Sequence, residues 1–378
     1  MKRLQFKLRE TNICMPRGVY VRSPTLSKQF QFWLLLWYNK NIMKKVLVGI
    51  SGGIDSFMSL YLLQKQGYLP VAVTFIFGTY EKKENADVNL AKKQAEFLNI
   101  EHKVINAEKD FENIVLSYYI SELKKNNTPN PCVICNAFCK FSLLEKISKE
   151  LNIDFIATGH YAKAINGKLF KGKDPLKDQS YFLSFLNKRT LQKTIFPLGN
   201  YLKKDIKEMA LKNGFQEFKK TNESQDFCYF SDSNKEDFIK KYIPLKQGDI
   251  LLNNKVVGTH SGLANYTTGQ RKGIKTHLGP IYVYDFDVEK NNLIVTKDKN
   301  KLFKRTVYFK DIHFIFKKPK FNLMFVKANI RYKDKLSFGI LNLKKKYIWF
   351  FKPKKSVTKG QFLVFYKNKQ CLGNAKIN

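Results

Sequence analysis

The chain has 378 residues and 44% hydrophobic content, enough to bury two or three cores, which excludes a disordered polypeptide. Sixty-eight lysines and arginines against 31 acids give a formal net charge of +37, a field that favours a polyanionic partner, nucleic acid first, with salt-dependent binding. Six cysteines are too few for a disulfide scaffold at this length, and no apolar run approaches the roughly 20 residues of a membrane span. Only eight of the cations are arginine, a bias that an AT-rich genome also produces.

Residues 1–42 differ from the rest: they hold Trp33 and Trp37, and Glu10 is their only acid. A basic, acid-poor leader is what a transit peptide looks like, but no amphipathic or cleavage pattern is clear. Met43 precedes a first strand directly, so an over-extended reading frame is the expectation and a cytoplasmic location follows from it; a transit peptide would place the protein in an organelle. From Met43 the pattern is strand (Val46–Ile50), glycine loop (Ser51–Ser56) and helix (Phe57–Gln66), with Gly67 as the stop. A strand over Pro70–Phe77, a helix over Ala86–Leu98, a strand over His102–Asn106, a helix over Phe141–Leu151 and a strand over Asp154–Ala157 continue the alternation. Such alternation predicts a doubly wound parallel sheet. After about residue 230 short β-branched and aromatic runs take over, such as Lys255–Gly258, Ile281–Phe286 and Gln361–Tyr366, which predicts a β-rich, barrel-like half.

Ser51-Gly52-Gly53-Ile54-Asp55-Ser56 lies between the first strand and the first helix, where glycines let backbone N–H groups approach phosphate and the helix dipole favours an anion. A glycine pair alone would be a tight turn. The hydroxyls of Ser51 and Ser56 and the carboxylate of Asp55 add phosphate and Mg²⁺ ligands, which favours a phosphate cradle. The loop lacks the Gly-Lys-Ser/Thr ending of kinase-type loops. It resembles the pyrophosphatase-type loop of enzymes that cut ATP between the α and β phosphates.

Thr128-Pro129-Asn130-Pro131-Cys132-Val133-Ile134-Cys135-Asn136 has two prolines stiffening a loop before a helix expected near Ala137. A cysteine at such a helix start is expected to have its thiolate stabilised by the helix dipole. With Cys139, the spacing fits a zinc half-site, a redox pair or buried small residues alike. Asn222-Glu223-Ser224-Gln225-Asp226-Phe227-Cys228 ends in a lone cysteine between aromatics, which alone reads equally as a buried thiol.

Together these pieces resemble the bacterial-type tRNA-specific 2-thiouridylases. Further matching text is Ala157-Thr158-Gly159-His160-Tyr161, Lys177-Asp178-Gln179-Ser180-Tyr181-Phe182-Leu183, Phe196-Pro197-Leu198-Gly199, His260-Ser261-Gly262-Leu263 and Tyr266-Thr267-Thr268-Gly269-Gln270-Arg271-Lys272-Gly273. Arg331-Tyr332, Gly360-Gln361 and Val364-Phe365-Tyr366 extend the resemblance to the C-terminus. It implies a PP-loop ATPase domain over 43–230, a small central domain over 231–300 and a tRNA-binding barrel over 301–378. It implies ATP contacts at Gly49, Ile50, Ser51, Gly52, Gly53, Ile54, Asp55, Ser56, Phe75 and Gly159, with Mg²⁺ near Asp55. Asn130, Pro131, Cys132, Lys177, Asp178 and Gln179 would lie near the target base, and His160, Arg331, Tyr332 and Gln361 would touch tRNA. Cys228 would carry a persulfide and Cys135 would release the sulfur, leaving a Cys135–Cys228 disulfide. Two departures stand out: some relatives carry an acid in place of Cys132, and glycine-rich text near the family's C-terminus reads Leu372-Gly373-Asn374-Ala375 here.

The implied reaction is adenylation of a wobble uridine at its C2 oxygen, followed by attack of a persulfide received from a donor protein. Three rivals remain at this stage: an AMP-forming amidotransferase or ligase, which leaves Cys135 and Cys228 without a role; a basic RNA-binding protein that consumes no ATP; and an iron–sulfur variant ligated by Cys132, Cys135 and Cys228.

Overall fold

Val46, Leu47 and Val48 are wholly buried, as are Ala72 and Val73 on the next strand, the continuous apolar run expected of strands covered on both faces. In the computed structural model, which describes residues 4–8, 11–15, 43–80, 86–215, 227–230, 234–274 and 276–378, they belong to β3 (Lys45–Gly49) and β4 (Leu69–Ile76) of a parallel sheet. With β5 (His102–Asn106), β6 (Phe155–Thr158) and β9 (Thr194–Ile195) the sheet order is β5-β4-β3-β6-β9. Every neighbouring pair in it is parallel. The order reverses between β3 and β6, so the carboxyl ends of those two strands bound a crevice of the kind that binds nucleotides in doubly wound sheets. Helices Ile54–Lys65 and Ala86–Phe97 follow β3 and β4. Phe57, Met58 and Leu63 of the first pack with Ala91 and Ala95 of the second in one core cluster.

The β-rich half has two parts. Strands β10 (Gly248–Leu252), β11 (Lys255–His260), β12 (Tyr282–Asp287) and β13 (Asn292–Thr296) form a four-stranded sheet around Ile250, Val283, Leu293 and Val295. Strands β14 (Phe303–Phe314), β15 (Leu323–Asn329), β16 (Ser337–Asn342), β17 (Tyr347–Lys355), β18 (Phe362–Lys367) and β19 (Gln370–Ile377) run in the order β14-β17-β16-β15-β18-β19. Pairing of β14 with β19 closes the ring into an antiparallel barrel. Closure removes the exposed edges that short strands would otherwise present.

The barrel is welded to the parallel-sheet domain. A hairpin of that domain, β7 (Ala162–Ile165) and β8 (Lys168–Lys171), pairs through β8 with β19. Phe362, Val364, Tyr366 and Cys371 of the barrel share a core with Tyr181, Leu183 and Leu186. Separately, Met1–Lys44 forms its own unit, in which β1 (Leu4–Leu8) and β2 (Thr11–Met15) make an antiparallel hairpin. Among the described residues no helix is long and apolar enough to cross a membrane.

Candidate active site

The phosphate loop is folded by its own backbone. Gly52 adopts φ 80°, and Gly53 caps the helix, accepting from the Phe57 amide at 3.1 Å. Asp55 and Ser56 therefore fall in the first helical turn. Ser56 Oγ accepts from the Ser51 amide at 3.2 Å and donates to the Gly53 carbonyl at 2.8 Å, tying the two ends of the loop. From the helix Ala86–Phe97, Gln94 donates to the Gly52 carbonyl at 2.7 Å and braces the turn from behind. Ser51 and Gly53 stay exposed. At the end of β6, a Cβ on Gly159 would sit 2.8 Å from the backbone carbon of Asp55, so only glycine lets this strand end lie against the helix start. Ile50 and Ile54 are buried beneath the loop, Gly49 packs by Leu144, and Phe75 on β4 stacks with Phe77 at 5.8 Å.

Asp55 has two partners that sequence reasoning missed. Lys203, at the start of the helix Lys203–Lys212, donates from Nζ to both carboxylate oxygens at 2.6 and 2.7 Å. Tyr161 donates its hydroxyl to Oδ1 at 2.8 Å. The Lys203 side chain is 7% exposed and that of Asp55 35%, so the pair is fixed from below and open above. Such a pair can exchange partners with a bound nucleotide, carboxylate to a divalent cation and ammonium to a phosphate oxygen, so the residues present fit ATP with Mg²⁺. Only the pattern Phe196-Pro197-Leu198-Gly199, which ends four residues before the helix that carries it, lay near Lys203 in the sequence.

The thiols form the second half. Asn130 caps the helix beginning at Pro131, its side chain accepting from the Val133 amide at 3.4 Å. The helix thus starts six residues before Ala137, and a π-helical stretch, Cys135–Lys140, follows its first turn. Such stretches are common at functional sites. Cys135 and Cys139 are buried, Cys132 is half-buried and Cys228 is exposed, all as free thiols. Aromatic rings hold the Cys228 segment in place: Phe227 stacks on Tyr119 at 5.3 Å, Tyr229 stacks on Phe111 at 5.6 Å, and Phe230 meets Phe238 at a tilt at 4.8 Å. Residues 222–226, which precede it, lie outside the described residues.

The electrostatics correct one expectation. Thiolates are not favoured at the helix start: burial raises Cys132, and the hydrogen bond with Cys139, followed by burial, raises Cys135. Burial pushes Cys132 up to about 12, and the neighbouring sulfurs of Cys228 and Cys135 add to the rise. Although Cys228 is exposed as a residue, protein crowds its thiol, and burial pushes it up to about 11, with Cys135 contributing. Cys135 donates its S–H to Cys139 and is held well above the ordinary thiol range by that bond and by burial, whereas Cys139 is lowered by accepting it. The Lys140 ammonium pulls all four thiols down and also lowers His160, so one cation reaches both halves of the site. Sequence reasoning missed Lys140 as well. Asn136 donates to the Cys132 carbonyl at 3.0 Å, while its buried Oδ1 has no hydrogen-bond partner among the described residues.

Gln361 reaches from the barrel to the Thr128 and Pro129 carbonyls at 3.0 and 3.3 Å and accepts from Asn130 at 3.4 Å. The loop carrying the first cysteine is thus gripped by another domain. Tyr332 packs on Phe182 at 4.2 Å, and Arg331 donates to the Ser356 carbonyl at 3.4 Å. Gln179 exchanges two hydrogen bonds with the Tyr161 backbone, both 2.9 Å, and so positions the Asp55 partner. The Asp178 carboxylate accepts from the Gly172 amide at 3.0 Å and pairs with Lys171 at 3.2 Å, which stiffens the loop that holds Lys177. His160 lies between Phe141 and Phe196, its ring 6.2 Å from each.

Among the described residues no group of three or more His, Cys, Asp or Glu side chains is arranged to hold a metal ion. Cys132, Cys135 and Cys228 therefore do not present a ready ligand set for an iron–sulfur cluster.

Comparison with known proteins matches the tRNA methyl transferase HUP domain to residues 44–232, the tRNA methyl transferase PRC-barrel domain to 236–297 and the aminomethyltransferase beta-barrel domain to 304–377. A tRNA-specific 2-thiouridylase MnmA of Syntrophomonas wolfei is 38% identical over 344 residues, covering 88% of this chain and 99% of that protein. A second, tRNA-specific 2-thiouridylase MnmA 1 of Geobacillus kaustophilus, is 38% identical over 355 residues, covering 89% and 95%. A solved 4-thiouridine synthetase–RNA complex with bound ATP overlaps only partly, with 17% identity, a TM-score of 0.33 and coverage of 53% of this chain and 50% of that one.

Proposed function

The chain belongs to the family of tRNA-specific 2-thiouridylases, enzymes that transfer sulfur to a tRNA uridine, and from that premise we propose how its own residues divide the reaction. The substrate is a wobble uridine, and its C2 oxygen attacks the α-phosphorus of ATP, releasing pyrophosphate. The loop Ser51–Ser56 presents its backbone to the phosphates, and Mg²⁺, with Asp55 as its protein ligand, would neutralise their charge. Gln179 and Tyr161 hold Asp55 in register. Adenylation is needed because a carbonyl oxygen is a very poor leaving group, whereas AMP departs readily.

Sulfur arrives at Cys228 as a persulfide, passed on by a donor protein. The outer sulfur attacks uridine C2, AMP leaves, and the base is joined to Cys228 through a disulfide. Cys135 then gives up its thiol proton, which ends on the departing thiouracil, and attacks the Cys228 Sγ; the S–S bond breaks, its electron pair stays on the sulfur bound to C2, and a Cys135–Cys228 disulfide forms. A cellular dithiol supplies the two electrons that restore both thiols. The target base must leave its stack to reach the crevice, which an anticodon-loop base does at little cost.

The observation that carries this reading is that Cys228, more than 90 residues from Cys135 in sequence, is anchored by flanking aromatics within electrostatic reach of it. An amidotransferase would have no use for that pairing. The test is incubation with tRNA, ATP–Mg²⁺ and a persulfide source, followed by nucleoside analysis. One 2-thiouridine per AMP is expected; AMP release without any thiolated nucleoside would defeat the reading.

A further inference from the structure

The outer wall of the barrel carries a feature used by neither half of the active site. In the ring β14-β17-β16-β15-β18-β19, strands β18 and β19 face the parallel-sheet domain, which places β16 and β17 on the opposite wall. Along these strands the inward positions, Val326, Leu341, Ile348 and Phe350 among them, fill the barrel. The outward positions of a solvated antiparallel sheet should be polar. Here they are aromatic: Phe325 is 63% exposed, Phe338 47%, Phe351 44% and Tyr308 60%. The strand register makes the patch continuous, since Phe325 lies across from Ile340, Ile340 from Trp349, and Lys327 from Phe338. Phe325 stacks with Phe338 at 5.3 Å and meets Phe351 at 5.8 Å, and Trp349 meets Phe351 at 5.1 Å.

An exposed aromatic patch of this extent marks an interaction surface. Its charge chooses the partner. Lys327 Nζ sits 4.5 Å over the Phe338 ring, and the Arg305 guanidinium lies 5.9 Å over Trp349 while donating to the Phe351 carbonyl at 2.6 Å. From Phe303 to Asn378 there are twenty lysines and arginines against two acids, Asp311 and Asp334, and Asp334 is occupied by Lys354 at 2.6 Å. Flat rings interleaved with cations, on a surface almost without anions, match unpaired nucleotides, which offer apolar faces for stacking and phosphates for the cations. We propose that the β14-β17-β16-β15 wall binds unpaired nucleotides of the RNA substrate, remote from the uridine being modified, by stacking on Phe325, Phe338 and Phe351. The proposal rests on the tRNA reading above but adds a second contact region, on the side of the barrel away from the thiols.

The test uses the full chain with Phe325→Ser/Phe338→Ser, and separately Lys327→Glu, each checked for unchanged thermal unfolding; if the double variant fails to fold, Lys327→Glu carries the test. The readouts are affinity for a short single-stranded RNA, affinity for tRNA across a salt series, and thiolation kinetics with whole tRNA and with an isolated anticodon stem-loop. Loss of two stacking platforms should weaken the single-stranded RNA by roughly thirtyfold or more. It should raise KM for whole tRNA, leave kcat within about twofold and leave the stem-loop untouched, and Lys327→Glu should weaken both RNAs most at low salt. Unchanged affinities in folded variants overturn the proposal. So does intact RNA binding together with a changed oligomeric state or lost affinity for a persulfide-donor protein. If the wild type binds the short RNA at this wall but forms no 2-thiouridine, the sulfur-transfer reading fails and this one stands.

Discussion

At the phosphate loop the polar groups are paired and open to solvent, while at the thiol site the sulfurs are packed among aromatic rings. Asp55 has a cation and a hydroxyl within 2.8 Å, partners that an incoming nucleotide can replace one for one. Cys228 has no such arrangement, and with its pKa near 11 only about one molecule in ten thousand is a thiolate at pH 7. The difference indicates where each half becomes reactive. The loop is ready for ATP as folded. On the proposed relay the thiol would gain reactivity from its cargo, since a persulfide is a stronger acid than a thiol and stays ionised under a burial penalty that keeps the thiol itself protonated. The raised pKa, not lack of access, would keep the unloaded thiol slow to react, since Cys228 is exposed.

The sharpest way to break this comparison is to damage one half and read the other. Cys228→Ser should reduce 2-thiouridine to background, a loss of at least about a thousandfold, because serine cannot carry a persulfide. AMP formation should continue, so an adenylated tRNA should accumulate. Normal thiolation in this variant would remove Cys228 from the relay. Lys203→Met acts on the opposite half: it should lower tRNA-dependent AMP formation by about a hundredfold, the usual cost of losing one preorganised electrostatic partner. Alkylation of Cys228 should proceed at the wild-type rate. Lys203→Arg should recover part of the loss, since a guanidinium also bonds both carboxylate oxygens. Undiminished AMP release from Lys203→Met would make the Lys203–Asp55 pair purely structural.

The two halves were also unequally legible in the sequence. The loop could be read from six consecutive residues because a strand, a glycine turn and a helix start make a local device whose geometry follows from backbone preferences. The doubly wound sheet and the barrel were legible for the same reason, as runs of apolar residues with the right lengths. Lys203 and Tyr161 were invisible as partners of Asp55 because that contact spans 148 residues for one and 106 for the other. The sign of the shifts at Cys132, Cys135 and Cys228 was misjudged because a helix start is a local feature, whereas the hydrogen bond of Cys135 to Cys139 and the burial by Phe227, Phe230 and their neighbours are set by the tertiary fold.

Lys140 joins the halves, and its removal should give a smaller effect. Between about pH 7 and 10, Cys228 alkylation should rise close to tenfold per pH unit, because the raised pKa keeps the thiol protonated up to about 11. Lys140→Gln should move that profile to higher pH and slow sulfur transfer several-fold. The linkage has a definite sign: with the folded pKa above the thiol's ordinary value of 9.0, the folded state retains protons the unfolded chain gives up, so stability falls as pH rises from about 9 to 11. A Lys140→Gln profile that superimposes on the wild type would show that this cation does not act on the thiols.

The smallest effect is expected at His160, which tests whether the crevice attracts tRNA with charge at that point. Burial, aided by Lys140, pushes its pKa down to about 3, and Nδ1 is 2.8 Å from Thr158 Oγ1. A histidine so depressed is neutral at pH 7 and has no ionic attraction for phosphate, so any contact it makes with tRNA is that of a neutral ring. His160→Gln should therefore change KM for tRNA by less than about threefold and leave the slope of affinity against salt unaltered, where loss of one phosphate-binding cation would lower that slope by roughly 0.7 to 0.9. The ring C2 proton should not titrate in NMR between pH 5 and 8. Below pH 6.5 the unfolded chain takes up a proton that the folded protein refuses, so the stability His160 contributes above that pH should be lost as pH falls toward 3. A C2 resonance titrating near 6.5, with tRNA binding that tightens in acid, would instead make His160 a solvated cation and place a charge in the crevice beside the thiols.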